Sequence, residues 1–377
     1  MTHIIHEICP ILVPEDSELR RQLPPRSFNP ENPGWNNYDY KTLMYGAIYI
    51  SRTQVVRVYL PRSFNLSDAI RRSKFYINGT ISKVLKWKTL RRYEVIELST
   101  LENSPEQLQL HSPDFGIKST KILDQDRTFE KRRVIYTLLR NEKLEWISDW
   151  IKFHVQEHGA DAVIIADNGS TTHSCKELSD TISSISDIAA GGVFSVPLPW
   201  GHNHRAHRAD DAEFLQSAML NFVRDAFLSQ SSSVLCADVD ELVVAKDETS
   251  VFDAARPWGY ATFPGVWYYP ARNRTSARHL DHFFYNPNDK ACPHKYVYNP
   301  KSLLGQQSLA VHSLEKLNRR LLCVGSRFHF VHCRAISRSW KFDRLDWDDR
   351  DLIEDIDLRT KLLRTFSEPT VHDSERH

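Results

Sequence analysis

Three carboxylates that directly follow a short apolar run constrain this chain more than any other feature of its sequence. The apolar residues 234–237 end in Asp238, Asp240 and Glu241, and a second apolar run over residues 242–245 follows at once. Carboxylates held together in a low-dielectric environment repel one another unless a cation lies among them. Side chains alternate along a strand, so Asp238 and Asp240 are expected on the same side. A bare Asp-x-Asp also occurs as a polar strand end or helix cap, but the flanking apolar runs favour a divalent-metal site that holds phosphates.

From Arg132 onwards, strand-like and helix-like segments alternate. Apolar runs of strand length cover residues 134–139, 162–166, 192–196 and 234–237, and helical patterns separate them. This alternation predicts an α/β domain with a Rossmann-like, mostly parallel sheet, in which ligands bind beyond the carboxyl ends of the strands. Polar turns follow three of the runs, at residues 140–142, 167–170 and 238–241. The chain has no Gly-x-Gly-x-x-Gly or Walker loop, which argues against dinucleotide binding and P-loop chemistry.

The first third of the chain has a different residue pattern. Prolines are frequent before residue 34, and short β-rich runs follow, with Asn78-Gly79 as a hairpin turn. We therefore expect a small, mostly-β domain over residues 1–125 and an α/β catalytic domain over residues 126–345. Residues 346–377 carry dense alternating charge and spaced aliphatic residues, which predicts a charged helical tail.

Composition narrows the class of protein. The 377 residues have a formal net charge of +1 without a long run of one sign, which argues against a nucleic-acid binder. The six cysteines are scattered and form no Cys-x-x-Cys, as expected for free thiols in a reducing compartment. The first residues do not resemble a signal peptide, and no apolar run reaches the roughly 18 residues of a membrane span. We expect a cytoplasmic protein, and peripheral contact with a membrane stays open.

Several short blocks, in order along the chain, together resemble a known family. They are Arg140-Asn141-Glu142, Glu145-Trp146, Gly159, Asp167-Asn168-Gly169-Ser170, Asp238-Val239-Asp240-Glu241, Lys295 with Pro300, Val311-His312, and Phe330–His332 with Arg334 and Ser337. Over about residues 132–345 the chain is similar to GT-A glycosyltransferases, closest to family 92 (formerly DUF23) and family 2-like enzymes. Two positions depart from that pattern: Cys333 follows His332 where the family has tyrosine, and no glycine precedes Val311.

The resemblance implies a GT-A fold and transfer of a hexose from a nucleotide sugar, commonly a UDP-hexose, to a glycan or glycolipid, with Mn²⁺ or Mg²⁺ on the diphosphate. By the same resemblance, Asp238 and Asp240 hold ribose and metal, and His312 is the third protein ligand, with His332 as the alternative. The remaining donor-binding residues that it implies are Asn141, Glu142, Asp167, Asn168 and Lys295.

The acceptor side is less well specified. Aromatic faces pack on sugar C–H surfaces, so Trp267 and Tyr268 are candidates, although both also suit an ordinary core strand, and His204 is a further candidate. An inverting reaction needs a carboxylate base. Asp281 and Glu315 are candidates for that base without a distinguishing pattern.

Three other functions compete with a transferase. The histidines His202, His204 and His207 have spacing similar to that of zinc-dependent hydrolases, but Ala206 stands where those enzymes carry aspartate. A non-catalytic carbohydrate-binding protein would use residues 1–125 for recognition. A sugar-1-phosphate nucleotidyltransferase shares the sheet and the aspartate pair, but its glycine-rich N-terminal loop is missing here.

Overall fold

The computed structural model describes residues 2–23, 35, 37–201, 212–270, 275–318, 320–337, 345, 347 and 351–366. The elements of the first third are β1 (Thr2–Glu7), β2 (Ile11–Leu12), β3 (Thr42–Met44), β4 (Gly46–Ile50), β5 (Val55–Pro61), α1 (Ser67–Arg72), β6 (Lys74–Ile77), β7 (Thr80–Ser82), β8 (Val84–Thr89), β9 (Tyr93–Ser99), β10 (Gln107–Ser112) and β11 (Gly116–Leu123).

The elements that follow are β12 (Arg133–Leu139), α2 (Leu144–His158), β13 (Ala162–Asp167), α3 (Cys175–Ser183), β14 (Ala190–Ser195), α4 (Phe214–Val223), β15 (Ser233–Cys236), β16 (Glu241–Ala245), β17 (Tyr260–Pro270), β18 (His282–Tyr285), β19 (Cys292–Tyr298), β20 (Leu309–Ala310), β21 (Ser313–Leu314), β22 (Phe328–Cys333), β23 (Ile353–Glu354) and α5 (Ile356–Phe366). Short 3₁₀ turns cover Phe64–Leu66, Val251–Ala255 and His279–Asp281, and a π-helical turn, Arg224–Leu228, extends α4.

A mixed sheet of eleven strands forms the centre of the molecule, with the order β1-β14-β13-β12-β15-β19-β17-β18-β23, and β22 joins β17 to β16. In this order the five strands β1, β14, β13, β12 and β15 are parallel to one another. The pairs from β15 to β23 are antiparallel, whereas β22 pairs in parallel with β17. The sheet is therefore mixed rather than mostly parallel. The parallel strands coincide with the predicted apolar runs because they are buried on both faces.

Helices cover both faces of the parallel strands. Alternate residues of β12 belong to different cores: Ile135 packs with α2 and α3, and Tyr136 packs with α4 on the opposite face. Along the chain, β13 and then β14 are added to the sheet on one side of β12. After α4 the order reverses, because β15 is added on the other side of β12. Ligands of open α/β sheets bind at such a reversal, outside the carboxyl ends of the strands.

A second sheet contains eight strands from the first third of the chain, in the order β7-β6-β10-β11-β4-β5-β9-β8. Its hairpin between β6 and β7 turns at Asn78 and Gly79, whose φ angles of 47° and 80° suit the predicted two-residue turn and confirm it. The first strand does not belong to this sheet, because Thr2–Glu7 pairs with β14 at the edge of the eleven-stranded sheet. The domain limits at residues 125 and 345 stay predictions.

Buried charges join the two sheets. Arg57 of β5 forms an ion pair with Asp225 of the π-helical turn, and the Tyr59 hydroxyl donates to Asp225 Oδ2 at 2.6 Å. Arg224 Nε donates to the other carboxylate oxygen at 2.8 Å. Burial raises the pKa of Asp225, but the two arginines outweigh it and hold that pKa below its ordinary value.

The C-terminal helix packs on the domain that precedes it. In α5, Leu358 and Leu362 are buried, and Phe366 stacks on Phe153 of α2 with ring centroids 6.4 Å apart. Part of the charged tail and all of residues 367–377 lie outside the described residues. Among the helices that are described, none combines the length and apolarity needed to cross a membrane.

Candidate functional site

The predicted polar turns meet at the reversal point of the large sheet. Asn141, Asn168 and Asp238 follow β12, β13 and β15, whose carboxyl ends lie side by side. A cavity of about 300 Å³ opens there, which we call the first cavity. It is lined by Asn37, Leu138, Leu139, Arg140, Asn141, Glu142, Asn168, Trp200, Gln216, Asp238, Val239, Asp240, His332 and Ser337.

Asp238, Asp240 and Glu241 form the acidic cluster of this cavity, with Lys295 of β19 as its internal counter-ion. Lys295 Nζ lies 2.7 Å from Asp238 Oδ2 and 3.1 Å from Glu241 Oε2. Asp238 remains 41% exposed at its side chain, whereas Lys295 and Glu241 are each 3% exposed. The Asp238 amide also donates to Glu241 Oε2 at 2.8 Å. Glu241 and Lys295 are therefore buried, whereas Asp238 faces the cavity.

The surroundings of Glu241 disfavour its ionised form. Burial raises the pKa of Glu241 to about 8; Lys295 opposes the shift, and the neighbouring Asp238 and Asp240 add to it. Burial lowers the pKa of Lys295, but Asp238 and Glu241 outweigh burial and raise that pKa above its ordinary value. A bound divalent cation would favour the ionised form of such clustered carboxylates.

His332 completes a set of possible metal ligands. It lies on β22 directly opposite Glu241 of β16, and its Nε2 is 3.1 Å from Asp240 Oδ2. Asp240, Glu241 and His332 offer ligand atoms that all lie within 4.8 Å of one another. The His332 ring stacks on Trp267, with centroids 3.8 Å apart and planes 15° from parallel.

The donor set fits the implied metal. His332 Nδ1 is buried without a hydrogen-bond partner among the described residues. The 3.1 Å between His332 Nε2 and Asp240 Oδ2 suits a hydrogen bond, and the same two atoms would be close enough to serve as ligands of one ion. Carboxylate oxygen combined with imidazole nitrogen suits Mn²⁺, and the carboxylates also suit Mg²⁺.

A buried histidine holds the backbone of the acidic turn. His279 Nε2 donates to the carbonyl oxygen of Val239 at 2.8 Å, between Asp238 and Asp240. Its Nδ1 lies 3.8 Å from Asp149 Oδ2 on α2. Burial raises the pKa of Asp149, but His279 and Arg278 outweigh it and hold the pKa below its ordinary value. Asp149 thus places a negative charge beside His279, and His279 holds the turn through its bond to Val239.

The other predicted donor-binding residues have distinct positions. Asn141 has a φ of 58° and accepts a hydrogen bond from the Thr171 amide at 2.7 Å, which ties two of the turns together. Asn168 donates to the carbonyl oxygens of residues 196 and 198. Asp167 is buried beneath Ser170, from which it accepts hydrogen bonds, and it does not line the first cavity. Glu142 is buried at the cavity wall.

A second cavity of about 620 Å³ adjoins the first and shares Asp238 and Gln216 with it. His312 lines this second cavity, and its Nδ1 donates to the carbonyl oxygen of His294 at 3.2 Å. The structure thus places His332, and not His312, beside Asp240. Glu315 also lines the second cavity.

The remaining candidates for base and acceptor contact lie elsewhere. Asp281 lines neither cavity, and its carboxylate accepts a hydrogen bond from the Arg278 amide at 2.8 Å. Tyr268 is buried, and its hydroxyl donates to Asp355 at 2.8 Å. Its side chain therefore belongs to the core and does not line the two cavities. Trp267 supports His332. His202, His204 and His207 lie outside the described residues.

Sequence patterns missed part of the site. Trp200 and Gln216 line the first cavity, and Arg91, Arg92 and Glu213 line the second. None of these five belongs to a local motif, and the two arginines come from the eight-stranded sheet. Ser337, which belongs to the last of the resemblance blocks, also lines the first cavity. The adjacent basic pair was the available signal, but only the packing of the two sheets brings it to the cavity.

Comparison with known proteins gives only weak structural likeness. No protein-family model matches the chain, and no curated protein matches it significantly. Apo WbbM, a bifunctional glycosyltransferase, is similar at 10% identity and a TM-score of 0.27, over 51% of this chain and 36% of that chain. GalNAc-T7 with UDP, GalNAc and Mn²⁺ is similar at 11% identity and a TM-score of 0.31, over 88% of this chain and 60% of that chain.

A maltogenic amylase from S. marinus is similar at 8% identity and a TM-score of 0.16, over 47% of this chain and 36% of that chain. The chain thus spans from 36% to 60% of the lengths of these three proteins. Two of the three structures are glycosyltransferases. At such low TM-scores the likeness carries no argument, and the proposal that follows rests on the geometry of the site.

Proposed function

We propose that this chain is a metal-dependent glycosyltransferase that moves a hexose from a nucleotide sugar, with UDP-hexose as the expected donor, to a glycan or glycolipid. The acidic cluster of Asp238, Asp240 and Glu241 beside His332 carries this proposal. The cluster lies at the reversal point of the sheet, where α/β proteins bind ligands. It also adjoins a second cavity large enough for another substrate.

The residues present have roles that follow from their positions. Asp240 and His332 would hold Mn²⁺ or Mg²⁺, with Glu241 as the further ligand of the cluster. A bound divalent cation would stabilise the negative charge on a departing nucleoside diphosphate. Asp238 is exposed to both cavities, and Lys295 fixes its orientation. Asn141, Glu142 and Asn168 line the part of the first cavity in which the nucleoside would bind.

Glu315 has the better position of the two candidate bases. It lines the cavity that shares Asp238 with the donor side, whereas Asp281 caps a 3₁₀ turn away from both cavities. An acceptor hydroxyl bound in the second cavity would therefore find a carboxylate within the same cavity. A Glu315→Gln variant should lose transfer activity while it retains donor binding.

Thermal denaturation with UDP, GDP or CMP, each with and without Mn²⁺, tests the proposal. A ligand at about 100 times its dissociation constant stabilises by about 2.7 kcal/mol, which raises the melting temperature by several degrees. We expect a Mn²⁺-dependent shift with UDP. No shift with any of the nucleotides, in protein whose folding is verified by circular dichroism, would contradict the proposal.

The competing functions predict different results. A zinc hydrolase predicts stoichiometric zinc by elemental analysis and loss of that zinc in a His204→Ala variant. A transferase predicts that His204→Ala leaves metal-dependent nucleotide binding largely intact. A non-catalytic carbohydrate-binding protein would bind glycans and show no nucleotide-dependent stabilisation.

A further inference from the structure

Three neighbouring cavities, which we together call the groove, start at the acidic cluster. The first and second cavities share Asp238 and Gln216. The second and a third cavity, of about 480 Å³, share Glu315 and Leu317. A single small-molecule pocket typically measures about 300–1,000 Å³, so the three cavities together offer room for more than one small ligand.

Both sheets contribute to the walls of this groove. Arg91 and Arg92 of the β8–β9 turn line the second cavity, and Lys88 and Tyr93 from the adjoining strands line the third. The Arg91 amide donates to Glu315 Oε1 at 3.2 Å, and the Tyr93 hydroxyl lies 2.8 Å from Ser308 Oγ. The β8–β9 turn and the start of β9 are thus held against residues 308–315.

The far end of the groove is electropositive. Arg57, Lys88, Arg224 and Lys316 line the third cavity together with Glu315. Buried carboxylates compensate two of these cations, because Arg57 pairs with Asp225 and Glu97 and Arg224 pairs with Asp225. Lys88 and Lys316 form no ion pair within the part of the chain that the structure describes. Glu315 offsets part of the remaining charge, and the third cavity keeps one net positive charge from these four cations and the carboxylates Glu97, Asp225 and Glu315.

We propose that the groove binds an extended acidic oligosaccharide, with its reacting end in the second cavity and an acid group near Lys88 and Lys316. This inference rests on the proposed function, because it names the acceptor class of that same site. A groove with hydroxyl, amide and guanidinium groups suits sugar hydroxyls, and two lysines at one end suit a carboxylate or phosphate substituent. The eight-stranded sheet then serves as part of the acceptor site.

Isothermal titration of the full chain with matched oligosaccharides tests the inference. The probes are oligomers of two, four and six units of β-1,4-linked mannuronate and β-1,4-linked mannose, and a parallel oligogalacturonate series with its neutral counterpart. We expect an acidic series to bind more tightly than its neutral counterpart, with an affinity that rises with length. In a Lys88→Gln/Lys316→Gln variant the longer acidic oligomers should bind roughly tenfold more weakly, and the two-unit oligomers should change little.

Lys301→Gln serves as the matched control, because Lys301 is exposed and lines none of the three cavities. Equal binding of acidic and neutral oligomers in both series, or an unchanged affinity in the double variant, would overturn the inference. UDP with Mn²⁺ is titrated into the same samples. If UDP still binds but acidic oligomers are not preferred, only this inference is contradicted. If acidic oligomers are preferred but UDP does not bind, the groove proposal is supported and the transferase proposal is contradicted.

Discussion

His332 Nε2 lies 3.1 Å from Asp240 Oδ2, and the His332 ring lies flat on Trp267. Two strands produce this contact: β16 begins at Glu241, and β22 pairs with it so that His332 stands opposite Glu241. The Cys333 amide donates to the Asp240 carbonyl oxygen at 2.8 Å and holds the two strands in that register. The proposed metal site therefore depends on the pairing of segments about 90 residues apart in the chain.

Replacing a proposed metal ligand should remove metal-dependent binding without unfolding the protein. We expect Asp240→Asn to abolish the Mn²⁺-dependent UDP shift. Its metal-free stability should stay equal or rise, because one of three clustered carboxylates becomes neutral. Thermal denaturation with and without Mn²⁺ measures both effects. Asp180→Asn, at an exposed helical position, is the control, and a preserved shift in Asp240→Asn would exclude Asp240 as a ligand.

Two adjacent aromatic residues should respond differently to substitution. Trp267→Leu removes the ring that supports His332, so we expect at least a several-fold weaker Mn²⁺ affinity. Tyr268→Phe removes the hydrogen bond to Asp355 and should lower the free energy of unfolding by about 1 kcal/mol, with unchanged Mn²⁺ affinity. Urea denaturation and Mn²⁺ titration distinguish the two. Equal metal affinity in both variants would show that the stack has no positioning role.

Lys295 should stabilise the metal-free protein. Lys295→Met leaves Asp238 and Glu241 without their buried counter-ion, and we expect a loss of about 3 kcal/mol in the free energy of unfolding. Saturating Mn²⁺ should restore part of that loss, because the ion replaces the missing positive charge. Chemical denaturation at pH 7 with and without Mn²⁺ checks both expectations. A loss that Mn²⁺ does not reduce would place Lys295 outside the electrostatics of the metal site.

Buried histidines should make the protein sensitive to acid. Burial lowers the pKa of His154 to about 3 and that of His158 to about 4, from ordinary values of 6.5. The unfolded chain therefore binds protons between about pH 6.5 and 4 that the folded chain does not, and stability falls as the pH falls through this window. Each neutral histidine contributes a loss of about 2 kcal/mol at pH 5.

His158→Gln tests this contribution. His158 Nε2 donates to Val243, and Nδ1 accepts from the Val251 amide, so the variant should be less stable at pH 7. The difference from the parent chain should shrink by about 2 kcal/mol at pH 5, because the glutamine does not bind a proton. Urea denaturation at the two pH values measures this change. A difference independent of pH would mean that His158 has the same pKa in the folded and the unfolded chain.

The sequence predicted the parts of the fold that local patterns encode. The strands over residues 134–139 and 162–166 are continuous apolar runs, and the polar turns after them follow from the chemistry of strand ends. The acidic cluster was likewise visible, since three carboxylates between two apolar runs are unusual. These features depend on neighbours within about ten residues along the chain.

Long-range pairing was the part that the sequence did not reveal. Thr2 lies opposite Ala190 in the large sheet, and the antiparallel strands beyond β15 come from segments without a distinctive period. For the same reason the sequence left His312 and His332 as alternatives, because only the register of β16 and β22 brings one of them to Asp240. Arg91 and Arg92 reach the second cavity through the packing of one sheet on another.

Titration of Mn²⁺ in the presence of UDP, followed by the electron paramagnetic resonance signal of free Mn²⁺, measures whether this site binds the metal. We expect the parent chain to remove one Mn²⁺ per molecule from solution and the variants Asp240→Asn and His332→Gln each to remove far less. The Asp180→Asn control should behave like the parent chain. Equal Mn²⁺ binding by the parent and both ligand variants, or none by the folded parent chain, would contradict the proposed metal-dependent nucleotide site.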